Sequence, residues 1–252
     1  ICSMRNAINF FLFCLMSFLF FSCKDKPVAP VVKDYVDITV QPVYNGQNLL
    51  MDSIYVTQEG YKIKITDLKF YVTLLQNGGT NLTQAALFDY RETGTLFLHQ
   101  EADYLKFGSL QGILGVDTTL NHDDPSAFPT TSPLNNSNAG TMHWGWNPGY
   151  IFVSIEGKAD TLIDGIDNLD HNFSFHTGTD QYLQTLSFSS INWQTISAHQ
   201  HTFALKLDVY NIFCNPIQSI DLRLEYLAHA SGSQAALTQK FGHNFKSSLT
   251  PY

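Results

Sequence analysis

Apolar and polar residues alternate with a period of two in segment after segment of this 252-residue chain. Val36, Ile38 and Val40 are interleaved with Asp37 and Thr39. Ile151, Val153 and Ile155 share one face, opposite Phe152, Ser154 and Glu156. Phe203, Leu205, Leu207 and Val209 repeat the pattern, as do Ile220, Leu222, Leu224 and Tyr226, opposed by Asp221, Arg223 and Glu225. Strand side chains point alternately to two faces, so this spacing specifies half-buried strands over those stretches. Tyr61 to Ile65 alternates too, Phe70 to Leu75 is a continuous apolar run, and Thr95 to Leu98 is a shorter one. Asn45-Gly46 and Asn77-Gly78-Gly79 supply turns between them. Helical spacing is scarce, and Gln234 to Phe241 is its best short candidate. There is no internal repeat. These features predict an all-β, antiparallel β-sandwich forming a single domain over 36–252.

Composition agrees and excludes several classes. Charged residues make up 14% and aromatics 13%, which does not fit disorder or a coiled coil. The formal net charge is −8, and no basic run occurs. Nucleic-acid binding draws its affinity from Lys and Arg on phosphates, so no nucleic-acid partner is expected.

The N-terminal segment stands apart from the domain. Arg5 precedes an apolar run from Phe10 to Phe21, broken only by Ser17, and Ser22-Cys23 follows. A basic residue, a short apolar stretch and a small residue before a cleavage point describe an export signal. The run is shorter than the ~20 residues that span a bilayer as a helix. We read 1–22 as a lipoprotein signal peptide, Cys23 as the acylated cysteine and 23–35 as a lipidated tether, with a plain signal peptide as the alternative. Lys24 to Asp34 holds Pro27 and Pro30 among mixed charges, which suits a tether. Cys2 and Cys14 leave with the signal, so Cys214 stands alone and no disulfide is expected.

One connection is unusually long. Between Val116 and Trp146 the chain is rich in Asp, Asn, Ser, Thr and Pro. Loops beyond ~15 residues in a compact domain are mostly functional or disordered. This one ends in Met142-His143-Trp144-Gly145-Trp146-Asn147-Pro148-Gly149-Tyr150, a long loop with an aromatic tip. Trp144 and Trp146 share a strand face by spacing. They are either rim aromatics packed on the sandwich, a redox-sensitive indole beside a metal, or a sugar-stacking platform.

No Gly-x-Ser-x-Gly elbow, phosphate loop, dinucleotide fingerprint or His-Glu-x-x-His is present, and the chain is expected not to be an enzyme. Asp123-Asp124 offers oxygen ligands for a hard cation, or simply two solvated loop acids. Imidazole is a common ligand for copper and zinc. His199 and His201 flank Gln200 and either chelate or sit at a strand entrance. His176 ends Asn172-Phe173-Ser174-Phe175-His176, facing away from Phe173 and Phe175, and Gly178 then releases the strand.

Several of these pieces together resemble a known family. They are Asp67-Leu68-Lys69-Phe70-Tyr71-Val72 and Leu114-Gly115-Val116-Asp117. The block Met142-x-Trp144-x-Trp146-Asn147-x-Gly149-Tyr150-Ile151-Phe152 follows, then Glu156-Gly157 and Phe173-x-Phe175-His176-x-Gly178. In this order over about residues 36–230 they look like the MbnP-like family, β-sandwich lipoproteins of the methanobactin-associated, copper-binding type. The resemblance implies copper(I) held by histidines and by kynurenine, an oxidised tryptophan made by a partner dihaem enzyme of the cytochrome c peroxidase type. It implies His176 as a ligand and Trp144 or Trp146 as the modified position. Relatives often carry a first-strand His before the Asn-Gly turn, where this chain reads Val40-Gln41-Pro42-Val43-Tyr44. One ligand is then either lost or supplied by His143, His199 or His201. The implied role is copper uptake or storage in the cell envelope of a Gram-negative bacterium, lipid-anchored to the outer membrane. The alternative is a metal-free surface module presenting the aromatic loop to a glycan or protein partner.

Overall fold

The structure is a computed structural model, and it describes residues 32–145, 148–230 and 232–252. The signal segment, Cys23 and Trp146 therefore lie outside the described residues. In chain order the strands are β1 (Tyr35–Tyr44), β2 (Gln47–Asn48), β3 (Ile54–Val56), β4 (Lys62–Asn77) and β5 (Thr80–Asp89). Next come β6 (Leu96–Glu101), β7 (Leu110–Leu114), β8 (His143–Gly145), β9 (Gly149–Asp160) and β10 (His171–Gly178). The last are β11 (Gln184–Phe188), β12 (Gln194–Ser197), β13 (Gln200–Asp208), β14 (Leu227–His229) and β15 (Leu249–Pro251). Helices are short: α1 (Tyr90–Thr93), α2 (Thr118–Asn121), α3 (Asn136–Ala139), α4 (Val209–Phe213) and the longer α5 (Ala235–Ser248).

The strands form two sheets. The smaller runs β12-β13-β1-β2, with β15 on β13 and β6 on β1. The larger runs β11-β7-β4-β9-β10-β14, with β3 and β5 on β4 and β8 on β9. The expected all-β sandwich is present, but its sheets are mixed: β1 pairs with β13 in parallel, and β10 with β14. Alternation specifies which face of a strand is buried. It is silent on the direction of the neighbour, and that is why the parallel pairs were not foreseen.

The core lies between the sheets. Val36, Ile38 and Val40 of β1 and Phe203, Leu205 and Leu207 of β13 share one buried cluster with Phe70 and Val72 of β4, Val153 and Ile155 of β9, and Phe173 and Phe175 of β10. Phe241 and Phe245 of α5 close it. Gly157 lies where β9 is squeezed from both sides. A methyl group placed there would stand 2.3 Å from the Lys64 carbonyl oxygen and 2.3 Å from Cζ of Phe173.

Three sequence expectations are corrected. Ile220 to Tyr226 is not a strand. Ile220 and Leu222 are buried, but the amides of Leu224 and Glu225 both bond the Asp221 carbonyl, and the Arg223 amide bonds the Asp221 carboxylate. Asp favours such local turns over strand pairing, and Leu224 and Tyr226 are left exposed. Tyr61–Ile65 and Phe70–Leu75 belong to one strand of 16 residues, whose register with β9 shifts between Ile65 and Asp67. The helix expected over 234–241 continues to Ser248.

The long connection, described over 116–145, is built rather than loose. Asp117 caps α2 and Asn135 caps α3 through their side chains. Leu120, Leu134 and Met142 from it pack on Tyr71, Tyr150 and Phe152 as a second buried cluster. Tyr71 and Phe152 alternate with the core-facing Phe70 and Val153, so this cluster covers the outer face of the larger sheet. Tyr71 Oη donates to the Pro133 carbonyl at 3.0 Å, and Tyr150 Oη to that of Leu134.

Candidate functional site

Strand register builds a row of polar side chains across that same outer face. Lys69 of β4 lies opposite Asp89 of β5 on one side and Ser154 of β9 on the other. Ser154 lies opposite His176 of β10, and His176 opposite His229 of β14. The neighbouring row, two residues away, is Asp67, Glu156 and Ser174. Side chains two apart share a face, so both rows point away from Phe173 and Phe175.

The rows are connected by hydrogen bonds. Lys69 Nζ lies 3.2 Å from Asp67 and 3.4 Å from Asp89. Ser154 Oγ donates to Asp67 Oδ2 at 3.2 Å. His176 Nε2 meets Glu156 Oε1 at 2.8 Å and Ser174 Oγ at 3.3 Å, and Ser174 Oγ meets His229 Nε2 at 3.1 Å. The rings of His176 and His229 stack with centroids 4.8 Å apart and planes 9° apart. Nδ1 of His176 is buried and has no hydrogen-bond partner.

The surroundings tune these groups. The hydrogen bond from His176 holds the Glu156 carboxyl below its usual range. Burial, followed by the neighbouring His176, lowers the pKa of His229 and favours its neutral form. Burial raises the Asp67 carboxyl despite Lys69 beside it. Burial also works against the Lys69 charge, but the Asp67 and Asp89 carboxylates outweigh it and leave that pKa raised.

Trp144 flanks the row at His176. Its ring centroid is 6.2 Å from that of His176, with planes tilted by 52°. Gly178, two residues beyond His176, makes room for it: a methyl group there would lie 2.3 Å from Cζ3 of the indole and 2.9 Å from the Tyr150 carbonyl oxygen. Gly178→Ala is therefore expected to push the indole away from His176 and to cost about 1–2 kcal/mol. Tryptophan emission, compared with and without Trp144→Phe, checks this. Unchanged Trp144 emission in the Gly178→Ala protein would contradict the contact.

The other sequence candidates lie elsewhere. His143 precedes Trp144 on β8 and so points to its opposite side, where its ring meets that of Tyr150 edge-on at 4.7 Å. Burial lowers its pKa. His199 sits in the turn before β13, with Nδ1 2.7 Å from Asp34. His201 is buried at the start of β13, stacked on Tyr104 with centroids 3.7 Å apart and Nδ1 3.1 Å from Thr195. The two rings have different partners, and of the two only His201 lies in a strand of the smaller sheet. Asp124 spends its carboxylate on the amide and hydroxyl of Ser126. Among the described residues, no three of His, Cys, Asp and Glu are grouped so as to hold a metal ion.

A family model, MbnP, matches residues 33–231. The chain belongs to the MbnP family. The solved structure of MbnP from Methylosinus trichosporium is similar at 14% identity, with a TM-score of 0.47, over 81% of this chain and 82% of that one. No curated protein matches the chain. The MbnP match spans both sheets and ends just past His229. Sequence reasoning picked out Trp144 and His176 but missed His229, Glu156 and Ser174 as their companions. Glu156 and Ser174 were legible as polar members of alternating strands. His229 was hidden behind the false strand at Ile220–Tyr226, because β14 is only three residues long.

Proposed function

We propose that this MbnP-family protein is a cell-envelope copper-binding lipoprotein, serving copper uptake or storage rather than catalysis. The observation that carries the reading is the buried, unpartnered Nδ1 of His176 beside the Trp144 indole. A buried nitrogen lone pair with no donor is costly unless something binds it. Copper(I) suits nitrogen donors such as imidazole. His176 would hold it through Nδ1, with an amine derived from oxidised Trp144 as a further donor. A dihaem enzyme of the cytochrome c peroxidase type would make the modification.

The chain's own groups prepare this place. Gly178 admits the indole, Glu156 and Ser174 hold the imidazoles, and the lowered pKa of His229 keeps that ring neutral and able to accept from Ser174. Protein purified from its native host should contain copper and show the mass gain of an oxidised indole on the peptide bearing Trp144. Metal-free protein with an unmodified peptide would overturn the reading and favour a surface module binding a glycan or protein.

Anchoring is tested separately. Cys23→Ala is expected to move the protein out of the membrane fraction or to stop its processing. Among the described residues, no helix is long and apolar enough to cross a membrane. An unmodified, unprocessed N-terminus in the wild type would refute the lipid anchor.

A further inference from the structure

We infer that Glu156 is a positioning residue: with Ser174 it selects the tautomers of His176 and His229, leaving His176 Nδ1 as the one bare imidazole nitrogen of the pair. The inference rests on the copper reading for its purpose but not for its test.

The Glu156 side chain is 44% exposed, and a carboxylate reached by water is ionised near neutral pH and only accepts. Its 2.8 Å contact with His176 Nε2 therefore requires the hydrogen to be on Nε2. In neutral His176 that leaves Nδ1 as a lone pair, and this is the atom found buried without a partner. The opposite assignment would set a bare Nε2 against an anionic oxygen and bury an N–H with no acceptor. Ser174 Oγ, 3.3 Å from the same Nε2, shares that hydrogen as an acceptor. Its own hydrogen is then free for His229 Nε2 at 3.1 Å. His229 accepts there and carries its hydrogen on Nδ1. The lone pair of His229 is engaged, while that of His176 is not.

Strand pairing fixes the arrangement in place. Glu156 and Ser174 are register partners across β9 and β10, and His176 and His229 across β10 and β14. No loop has to move to orient the ring. A carboxylate that holds one imidazole nitrogen so that the other can bind a metal is a common outer partner of metal-bound histidine. Nothing in the alternating sequence pairs Glu156 with His176, because the link depends on the register of two strands.

The test begins with metal-free protein. Nitrogen-15 NMR of the imidazoles, with the His176 signals identified by their loss in His176→Asn, should show the Nε2–H tautomer for His176. Glu156→Ala should mix its tautomers, whereas Glu156→Gln, which keeps an acceptor oxygen, should preserve the preference. Copper(I) affinity should fall about 10- to 100-fold in Glu156→Ala and less in Glu156→Gln. The Glu156 side chain is 44% exposed, so the thermal midpoint should barely move in either variant. A wild-type His176 carrying its hydrogen on Nδ1, or a tautomer indifferent to Glu156→Ala, would overturn the inference. Protein that binds no copper(I) yet shows the expected tautomer and its loss in Glu156→Ala would uphold Glu156's role and reject the copper reading instead.

Discussion

Gly157→Ala is expected to destabilise the domain by roughly 3 kcal/mol or more, a large share of the ~5–15 kcal/mol that holds a typical domain together. Gly157 sits in β9 opposite Ile65 of β4 and Phe173 of β10. The added methyl would meet the Lys64 carbonyl oxygen at 2.3 Å and the Phe173 ring at 2.3 Å, where no real contact survives. Neither neighbour can give way cheaply. The carbonyl belongs to the backbone of the longest strand in the larger sheet. The ring is buried against Phe175 and Phe213, with centroids 6.1 and 5.6 Å away. Moving it would open space in a core packed as densely as an organic crystal. Urea unfolding checks the size of the effect. A midpoint within about 1 kcal/mol of wild type, at an unchanged slope, would show that the sheets tolerate the methyl and that the packing described is wrong.

His176→Ala is expected to bring copper content close to zero while the protein stays folded. The imidazole is nearly buried, yet it lies on the outer face and is absent from the main aromatic core. Its loss removes one hydrogen bond to a charged group, about 1.5–3 kcal/mol, and leaves the sandwich intact. Phe175, one residue earlier and facing the other way, packs on Phe213 and Phe241, and its truncation should cost ~3–5 kcal/mol. The adjacent pair thus separates stability from binding. Metal analysis and circular dichroism on both variants read the two effects. Full copper content in the His176→Ala protein would remove this residue from the site.

How much of this was legible in the sequence depended on what each residue's position required. Val36, Ile38 and Val40, or Phe203, Leu205 and Leu207, announce their strands because one face is buried and the other is not. Burial also explains why Trp144 and His176 stood out, since an aromatic tip and an outward His interrupt that pattern. The 116–146 excursion gave its composition away but not its structure, because Asp117 and Asn135 cap helices of only four residues each. The union of Glu156, Ser174, His176 and His229 was not legible. It arises from two strand registers, one of them parallel and joining residues more than fifty apart. Ile220–Tyr226 misled for the complementary reason: two of its alternating positions are buried, but Asp221 draws the backbone into a turn.

The parallel pairing of β1 with β13 has a bearing on the order in which the domain can assemble. Residues 35–43 align with residues 200–208, so the first strand to emerge from the ribosome finds this partner only when most of the chain has been made. Pairings of such sequence separation pay their loop-closure entropy before they return any contact, and folds rich in them form slowly. Until then β1 has only β6 and the two residues of β2 beside it, and its β13 edge stays open. Late closure of the β1–β13 edge therefore makes commitment to the native state one of the last events of assembly.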